Sequence, residues 1–375
     1  MAQSTTAAAL ALAVAVLLTA CGSPQPPEAT PSPTASRAPA EPDASAVPST
    51  PATPAGTLDE PAVLATGLDA PWSIAFLPGG GALVSERDSA TIVEVRADGT
   101  VTPIIEIAGV DGGDDDEGGL LGIAVHDGHL YWYATGGGEN LVQRTTLTGA
   151  AGALTFGQPE TVIEAIPAAG NHNGGRIAFG PDGKLYVTAG DAAVPSRAQD
   201  PASLAGKILR LEPDGAIPAD NPFPGSPVYS LGHRNPQSLA WDDDGRLWAT
   251  EFGQDTWDEL NAIEAGANYG WPTVEGIGGD ARFRDPVQQW SPAEASPSGM
   301  AFAAGSLWIA NLRGESLRQV DFGDASASTV HWLDRFGRMR DVAVAPDGSL
   351  WALTNNTDGR GTPADGDDRI LVFGP

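Results

Sequence analysis

A unit of two short strands recurs six times in this chain of 375 residues. Each unit opens with a small apolar strand that has alanine at its centre, and a Gly-x-Leu turn then leads to a second strand. Because successive units lie 42 to 62 residues apart, each has about the length of one four-stranded blade with its loops. The repeat predicts an all-β fold, a six-bladed β-propeller, whereas a β-sandwich would not need six copies of one unit. The central alanines are Ala75, Ala124, Ala178, Ala240, Ala301 and Ala343, and the partner strands begin at Leu83, Leu130, Leu185, Leu247, Leu307 and Leu350.

The N-terminal sequence predicts export. Residues 7–20 form an apolar run that is too short to span a bilayer and has the length of a signal-peptide core. The sequence Leu-Thr-Ala-Cys at 18–21 resembles a bacterial lipobox, so residues 1–20 are expected to be a lipoprotein signal peptide and Cys21 to carry the lipid. This interpretation explains the single cysteine, and a free cysteine in a cytosolic chain is the alternative. We expect the protein to be lipid-anchored on the outer face of the bacterial cytoplasmic membrane, or on the periplasmic side.

The composition changes after the predicted lipobox. Residues 21–60 are rich in Pro, Ala, Ser and Thr and offer almost nothing to bury, so a disordered tether is expected there. Residues 61–375 then remain for a single propeller domain. The formal net charge of −28 disfavours phosphate backbones and anionic lipid surfaces as partners, and we expect no nucleic acid.

Unusual polar residues fall at equivalent positions of the repeat. In a propeller, the loop that leads into each innermost strand and the loop that leaves the second strand open on the same face, around the central channel. A shared position in the repeat therefore predicts that these side chains converge on one funnel. The ionisable residues with this placement include His172, Asp191, Arg234, Arg313, Arg338 and Arg340.

These side chains suit proton transfer beside an anionic ligand. His172 can take a proton, Asp191 can orient the imidazole, and Arg234 can stabilise developing negative charge. The remaining arginines suit planar carboxylates, which a guanidinium grips at two points. For each residue taken alone, a structural role as a hydrogen-bonding histidine or an ion-paired arginine stays open. Zinc is disfavoured, because five histidines and one cysteine show no clustered ligand spacing.

Five ordered motifs run through the chain, together with the sequence Arg-Met-Arg-Asp at 338–341. The motifs occupy residues 171–176 (Asn-His-Asn-Gly-Gly-Arg), 180–191, 204–210, 232–237 (Gly-His-Arg-Asn-Pro-Gln) and 268–272 (Asn-Tyr-Gly-Trp-Pro). They closely resemble motifs of the soluble PQQ-dependent aldose sugar dehydrogenases, the glucose/sorbosone dehydrogenase family. The resemblance extends from about residue 64 to residue 374.

The resemblance implies a role for each candidate residue. His172 would remove the proton from the anomeric hydroxyl of an aldose while hydride passes to the PQQ quinone carbon. Asp191 would support His172, and Arg234 would polarise the quinone. The residues implied to contact PQQ are Glu117, Asn235, Arg313, Arg338 and Arg340.

The resemblance also implies calcium. One ion would bridge the cofactor and the backbone carbonyls of Gly253 and Gln254, since hard oxygen ligands suit Ca²⁺. A second, structural ion would bind Glu259 and the carbonyl of Tyr269. A surface carboxylate is the alternative for Glu259.

Four residues depart from the better-known members of the family. Glu117 replaces Gln, Asn171 replaces Asp, Phe252 replaces Gln and Arg313 replaces Lys. A carboxylate at position 117 would either repel PQQ or pair with an arginine, and the sequence does not choose. The aspartates at 111 and 114–116 resemble metal ligands by their number, but their irregular, glycine-rich spacing indicates a solvated loop.

The sequence thus predicts an exported quinoprotein that oxidises aldoses to lactones and passes electrons to an external acceptor. A propeller that binds a carbohydrate or a partner without chemistry is the first alternative, because the fold alone does not guarantee activity. Such a protein would not need the set His172, Asp191 and Arg234. A lactonase-type hydrolase is the second alternative, and it would hold calcium with side-chain carboxylates and amides at the channel floor.

Overall fold

The computed structural model describes residues 52–54, 58–112 and 116–374, all of which belong to one compact unit, Val47–Pro375. The predicted signal peptide, Cys21 and most of the predicted tether lie outside these residues. Within the tether range, Ala52–Pro54 is a short strand that pairs in parallel with Ser328–His331. No helix in the described part of the chain is long and apolar enough to cross a membrane.

The described chain forms six sheets, which we number as blades 1 to 6 in chain order. Each blade has four antiparallel strands, given from the innermost outward, and Ala52–Pro54 adds a parallel strand at the edge of blade 5. Blade 1 contains Pro71–Phe76, Ala82–Glu86, Thr91–Val95 and Val101–Glu106. Blade 2 contains Leu120–His126, His129–Gly136, Glu139–Thr148 and Glu160–Pro167, with Thr155–Phe156 also paired to its third strand. Blade 3 contains Ile177–Phe179, Leu185–Ala189, Lys207–Leu211 and Val228–Leu231.

The second half of the ring follows the same plan. Blade 4 contains Ala240–Trp241, Leu247–Glu251, Asp258–Ile263 and Gln288–Trp290. Blade 5 contains Pro297–Ala303, Ser306–Asn311, Ser316–Asp321 and Ser328–His331. Blade 6 contains Met339–Val344, Leu350–Thr354, Arg369–Phe373 and Ala62–Thr66. In the described residues the one helical element is the short 3₁₀ helix Pro195–Gln199.

The ring is closed by its two ends. Ala62–Thr66 precedes blade 1 in the chain but forms the outer strand of blade 6, where it pairs antiparallel with Arg369–Phe373. Strands from both ends of the domain therefore share one sheet, and Ala62–Thr66 completes the four strands of the last blade. The six-bladed propeller predicted from the alanine repeat is confirmed.

The core lies between neighbouring blades. Buried apolar side chains form six clusters, one for each pair of adjacent blades. Successive side chains of a strand point to opposite faces, so the second strand of blade 1 sends Leu83 toward blade 2 and Val84 toward blade 6. Leu307 and Trp308 divide in the same way on blade 5. Apolar runs that lack strict alternation with polar residues therefore suit strands that are covered on both faces.

Charged groups are buried where the innermost strands meet. The guanidinium carbon of Arg176 lies 4.3 Å from the centre of the Trp72 ring, and that of Arg340 lies 5.7 Å from it. Arg176 donates to Asp341 at 3.1 Å, and the same carboxylate accepts the Ile74 amide at 2.9 Å. Residues from blades 1, 3 and 6 thus share one polar network at the axis.

Removing the carboxylate from this network should destabilise the fold. In Asp341→Ala, Arg176 would lose its buried counter-ion and the Ile74 amide its acceptor, so we expect a loss of about 3–5 kcal/mol in the free energy of unfolding. Chemical denaturation of both proteins measures this loss. Asp243→Ala, at an exposed turn position, is the matched control and should change stability by less than about 0.5 kcal/mol. Equal stability of Asp341→Ala and the control would contradict the proposed importance of the network.

Candidate active site

One face of the propeller carries a cleft that continues into the central channel. The outer part has a volume of about 290 Å³, and the inner part is narrower, with a volume of about 50 Å³. The two parts are continuous, because five residues line both of them: Glu117, Phe252, Leu312, Arg338 and Arg360. The predicted convergence of the loops on one funnel is confirmed.

His172 and Asp191 form a hydrogen-bonded pair in the outer cleft. The Nδ1 atom of His172 lies 2.7 Å from Oδ1 of Asp191. Asp191 is fully buried, and its other carboxylate oxygen accepts the Trp271 indole N–H at 2.8 Å. Because an ionised carboxylate only accepts hydrogen bonds, Nδ1 is the donor, and in the neutral imidazole Nε2 keeps its lone pair. His172 lines the cleft, so this nitrogen is available to take a proton from a bound molecule.

The backbone holds His172 in an uncommon conformation. Its φ angle is 59°, in the left-handed region that non-glycine residues seldom occupy. A Cβ atom at Gly190 would collide with the His172 carbonyl, so glycine is needed beside Asp191 for the two loops to approach. Strained conformations of this kind persist when surrounding contacts fix them, and they concentrate at functional sites.

Glu117 supplies one of those contacts. Its Oε2 atom accepts the backbone N–H of His172 at 2.9 Å, and its own amide donates to the Gly170 carbonyl at 2.9 Å. The sequence left two outcomes open for this carboxylate, repulsion of a ligand or pairing with an arginine. In the structure, the backbone amide of His172 is its hydrogen-bond partner.

Arg234 and Asn235 lie on the adjacent loop of blade 4. Nη1 of Arg234 donates to the Phe252 carbonyl at 3.2 Å, and its guanidinium carbon lies 5.5 Å from the centre of the Trp271 ring. Burial lowers the pKa of Arg234, although Asp191 opposes that shift. Trp271 therefore joins the His172–Asp191 pair to Arg234. The sequence analysis included this tryptophan in a motif but gave it no role.

Arg338 and Arg340 are buried at the inner end of the cleft. Arg338 donates to Asp358 at 3.2 Å, and Arg340 donates to Asn355 at 3.2 Å. Burial lowers the pKa of Arg340 to about 9, with nearby Asp358 opposing and Arg338 adding to the shift. An anionic ligand between the two arginines would favour their charged forms.

Three more arginines complete the cationic lining. Arg313 is exposed at the outer cleft, and Arg87 is buried at the inner cleft, where it forms an ion pair with Asp88 at 2.6 Å. Arg360 lines both parts of the cleft. Arg360 lies on the loop that follows the second strand of blade 6. It was not identified from the sequence, because it lies several residues farther along this long loop than the other candidate residues do along theirs.

Buried donors without partners indicate what the cleft accommodates. Among the described residues, four side-chain N–H groups around the channel have no hydrogen-bond acceptor. Such groups are costly unless a ligand or water satisfies them. Together with the arginine lining, they fit an oxygen-rich anion such as a tricarboxylate. The four atoms are Arg176 Nη2, Arg234 Nε, Asn235 Nδ2 and Arg338 Nε.

The loop at Gly253 and Gln254 borders the outer cleft as the sequence analysis expected. The Gly253 amide donates to Asp258 at 2.9 Å, and the Gln254 amide donates to Glu275 at 2.8 Å. Neither carbonyl accepts a hydrogen bond from the described residues, so both oxygens remain available to a cation. Burial raises the pKa of Asp258 to about 6. This residue was not among the candidates identified from the sequence.

Glu259 is buried beside a second, smaller cavity of about 10 Å³, which Tyr269 also lines. Its two oxygens accept the Gly276 amide at 2.7 Å and the Asn261 side chain at 2.9 Å. Burial, together with the charge of Glu251, raises the pKa of Glu259 to about 8. A cation at this point would offset the repulsion between the carboxylates, and burial argues against the alternative of a surface carboxylate.

The described residues contain no cluster of three or more His, Cys, Asp and Glu side chains arranged to hold a metal ion. Asp111 and Asp116 are exposed, and Asp111 accepts the Gly137 amide at 2.7 Å. The neighbouring aspartates at 114 and 115 lie outside the described residues. An exposed loop agrees with the interpretation of this segment as solvated.

The fold and the cleft define a class of protein: a six-bladed propeller with a histidine–carboxylate pair and an arginine-lined funnel on one face. The family model for glucose/sorbosone dehydrogenases matches residues 68–363, so the chain belongs to this family. A gluconolactonase structure is 14% identical to this chain, with a TM-score of 0.51. That likeness concerns the fold alone.

Several characterised proteins are similar to this chain. A PQQ-bound aldose sugar dehydrogenase structure from Streptomyces coelicolor is 50% identical, with a TM-score of 0.81, covering 85% of this chain and 98% of that one. The aldose sugar dehydrogenase YliI of Escherichia coli is 32% identical, with 79% of this chain and 90% of that protein covered. Quinoprotein glucose dehydrogenase B of Acinetobacter calcoaceticus is 32% identical, with 59% and 54% covered.

Proposed function

We propose that this protein oxidises aldose sugars at the anomeric carbon to lactones, with PQQ as cofactor and an external electron acceptor. The observation that carries the proposal is the His172–Asp191 pair, which opens on a cleft lined with arginines and unsatisfied donors. Similarity to a PQQ-bound aldose sugar dehydrogenase and membership of the glucose/sorbosone dehydrogenase family support it.

The residues of the chain handle the proton and the charges. His172 removes the proton from the anomeric hydroxyl through Nε2, and Asp191 stabilises the imidazolium that results. Arg234 is placed to stabilise negative charge that develops next to this pair. PQQ, when bound, supplies the two-electron oxidising centre that amino-acid side chains lack.

The cationic groups at the inner cleft would hold the carboxylates of PQQ. Arg338 immediately precedes the innermost strand of blade 6 and Arg340 lies within that strand, and both side chains line the inner cleft. Arg313 and the side-chain amide of Asn235 would add contacts, and the Nδ2 atom of Asn235 has no other acceptor among the described residues.

Calcium forms part of the proposal. The carbonyl oxygens of Gly253 and Gln254 would contribute ligands to an ion at the cofactor site, because Ca²⁺ prefers oxygen donors and accepts backbone carbonyls. Glu259 and the Tyr269 carbonyl would hold a second ion at the smaller cavity. Buried carboxylates next to that cavity support this assignment.

A propeller that binds a carbohydrate or a partner without catalysis is the alternative. It would have no use for a histidine in a left-handed conformation with a buried carboxylate behind it. The presence of His172, Asp191 and Arg234 around one cleft therefore favours the enzyme.

The proposed location is the outer face of the bacterial cytoplasmic membrane, or the periplasmic side, with Cys21 as the lipidated residue. This proposal is based on the sequence at 18–21 and on the apolar run before it. A tether between the lipid and the propeller would leave the cleft accessible to sugars and to the electron acceptor.

Removing the base should abolish most turnover. We expect His172→Ala to lower kcat by about a hundredfold or more, the usual contribution of general base catalysis, with PQQ affinity largely kept. Dye reduction with a panel of aldoses, in saturating PQQ and calcium, measures the effect. His129→Ala, on the hairpin between the first two strands of blade 2, is the matched control. Unchanged turnover of His172→Ala would rule out the assigned role.

Removing both inner arginines should weaken cofactor binding. Each charge-assisted contact contributes roughly 1.5–3 kcal/mol, so replacing Arg338 and Arg340 by Ala should raise the Kd for PQQ at least about a hundredfold. Arg340→Lys should also bind poorly, because an ammonium lacks the planar two-point grip. Protein fluorescence during a PQQ titration of the apoprotein reports the affinity. Arg246→Ala, at an exposed turn, serves as the control. Wild-type PQQ affinity in the Arg338/Arg340 double variant would place the cofactor elsewhere.

Loss of the proposed lipidation site should change the location of the protein. In a bacterial host that processes lipoproteins, the wild type should be found in the membrane fraction, whereas Cys21→Ser should be released or remain unprocessed. Cell fractionation and intact mass report both properties. A soluble wild type that retains an unmodified Met1 would contradict the anchor.

A further inference from the structure

Glu275 forms an unusual set of hydrogen bonds with the loop that borders the outer cleft. One of its oxygens, Oε1, accepts four consecutive backbone amides, those of residues 254–257, at 2.8, 3.3, 3.1 and 3.1 Å. A run of amides that converges on one anion is a backbone nest. In this protein the anion is a side chain of the protein itself, and the nest is therefore filled without a ligand.

This contact determines where the carbonyls of the loop point. In a trans peptide the C=O and N–H groups point in opposite directions. The Gln254 amide shares a peptide unit with the Gly253 carbonyl, and the Asp255 amide shares one with the Gln254 carbonyl. Because both amides point at Glu275, both carbonyl oxygens point away from it, on a loop whose Gly253 and Gln254 line the cleft.

The preceding peptide units are fixed in the same manner. The buried carboxylate of Asp258 accepts the Gly253 amide at 2.9 Å and the Ser296 amide at 2.7 Å, which ties this loop to blade 5. The Phe252 carbonyl accepts Nη1 of Arg234 at 3.2 Å. The carbonyls of Phe252, Gly253 and Gln254 are thus oriented by the hydrogen bonds of the amides that share their peptide units. Among the described residues, no hydrogen-bond donor contacts the carbonyls of Gly253 and Gln254.

We propose that Glu275 is a positioning residue for the cation at the cofactor site. Its carboxylate organises the loop so that the oxygens of Gly253 and Gln254 are directed to a calcium ion before the ion arrives. The proposal rests on the proposed function, because the ion would bind together with PQQ. It predicts that loss of Glu275 weakens calcium binding rather than the grip on the PQQ carboxylates.

The test separates these two effects by titrating calcium into apoprotein with PQQ and following protein fluorescence. In Glu275→Ala, the calcium concentration for half-maximal PQQ binding should rise about tenfold or more, since the loop must be ordered by the ion itself. At saturating calcium, PQQ affinity should return to within about threefold of the wild type. Glu275→Gln keeps an acceptor oxygen and loses the charge, so an intermediate shift is expected. Asp255→Asn, an exposed carboxylate of the same loop, is the control and should behave as wild type.

A second measurement needs no cofactor. Hydrogen exchange of the amides of residues 254–257 in the apoprotein should accelerate about tenfold or more in Glu275→Ala and remain unchanged in Asp255→Asn. Unchanged exchange, an unchanged calcium midpoint, or a loss of PQQ affinity that calcium does not restore would each overturn the assignment. A wild type that binds no PQQ at any calcium concentration would instead overturn the proposed function, even if the exchange data agree with the role of Glu275 in the loop.

Discussion

The burial of guanidinium groups at the propeller axis is the constraint on which the rest of the site depends. Arg176 and Arg340 flank the Trp72 ring where the innermost strands converge, and Asp341 balances Arg176. Removing these charges from water is expensive, and incomplete pairing adds to the cost. The fold tolerates this arrangement because six blades surround the axis. A bound anion would offset the part of this cost that comes from the unsatisfied donors beside the channel.

The chemical groups of the cleft are held by carboxylates that bind backbone amides. Glu117 accepts the amide of His172, Asp258 accepts that of Gly253, and Glu275 accepts the next four amides of the same loop. A carboxylate stabilises such loops through charge-assisted hydrogen bonds and fixes where the opposite carbonyls point. Acidic residues that would repel an anionic cofactor through space can therefore support its site through the backbone. Glu117 illustrates this point, because the substitution of Gln by Glu keeps an acceptor for the His172 amide.

Trp271 connects the two halves of the proposed chemistry. Its indole N–H binds Asp191, the partner of His172, and its ring faces the guanidinium of Arg234. A change in the position of this side chain would affect both the proton acceptor and the cation that stabilises negative charge. The proposed base and the proposed electrostatic group are thus coupled by packing, although they belong to loops of different blades.

The sequence by itself determined the number of blades and the loops that meet on one face, and it supplied His172, Asp191, Arg234, Arg338 and Arg340 as the candidate residues of the cleft. These features recur once per blade or belong to ordered motifs, so local pattern was sufficient to find them. The tertiary structure alone decided the role of Glu117, the link through Trp271 and the amide nest at Glu275. Each of these depends on a contact between loops separated by 18 to 80 positions, and no local pattern specifies which backbone amide a carboxylate reaches once the ring has closed.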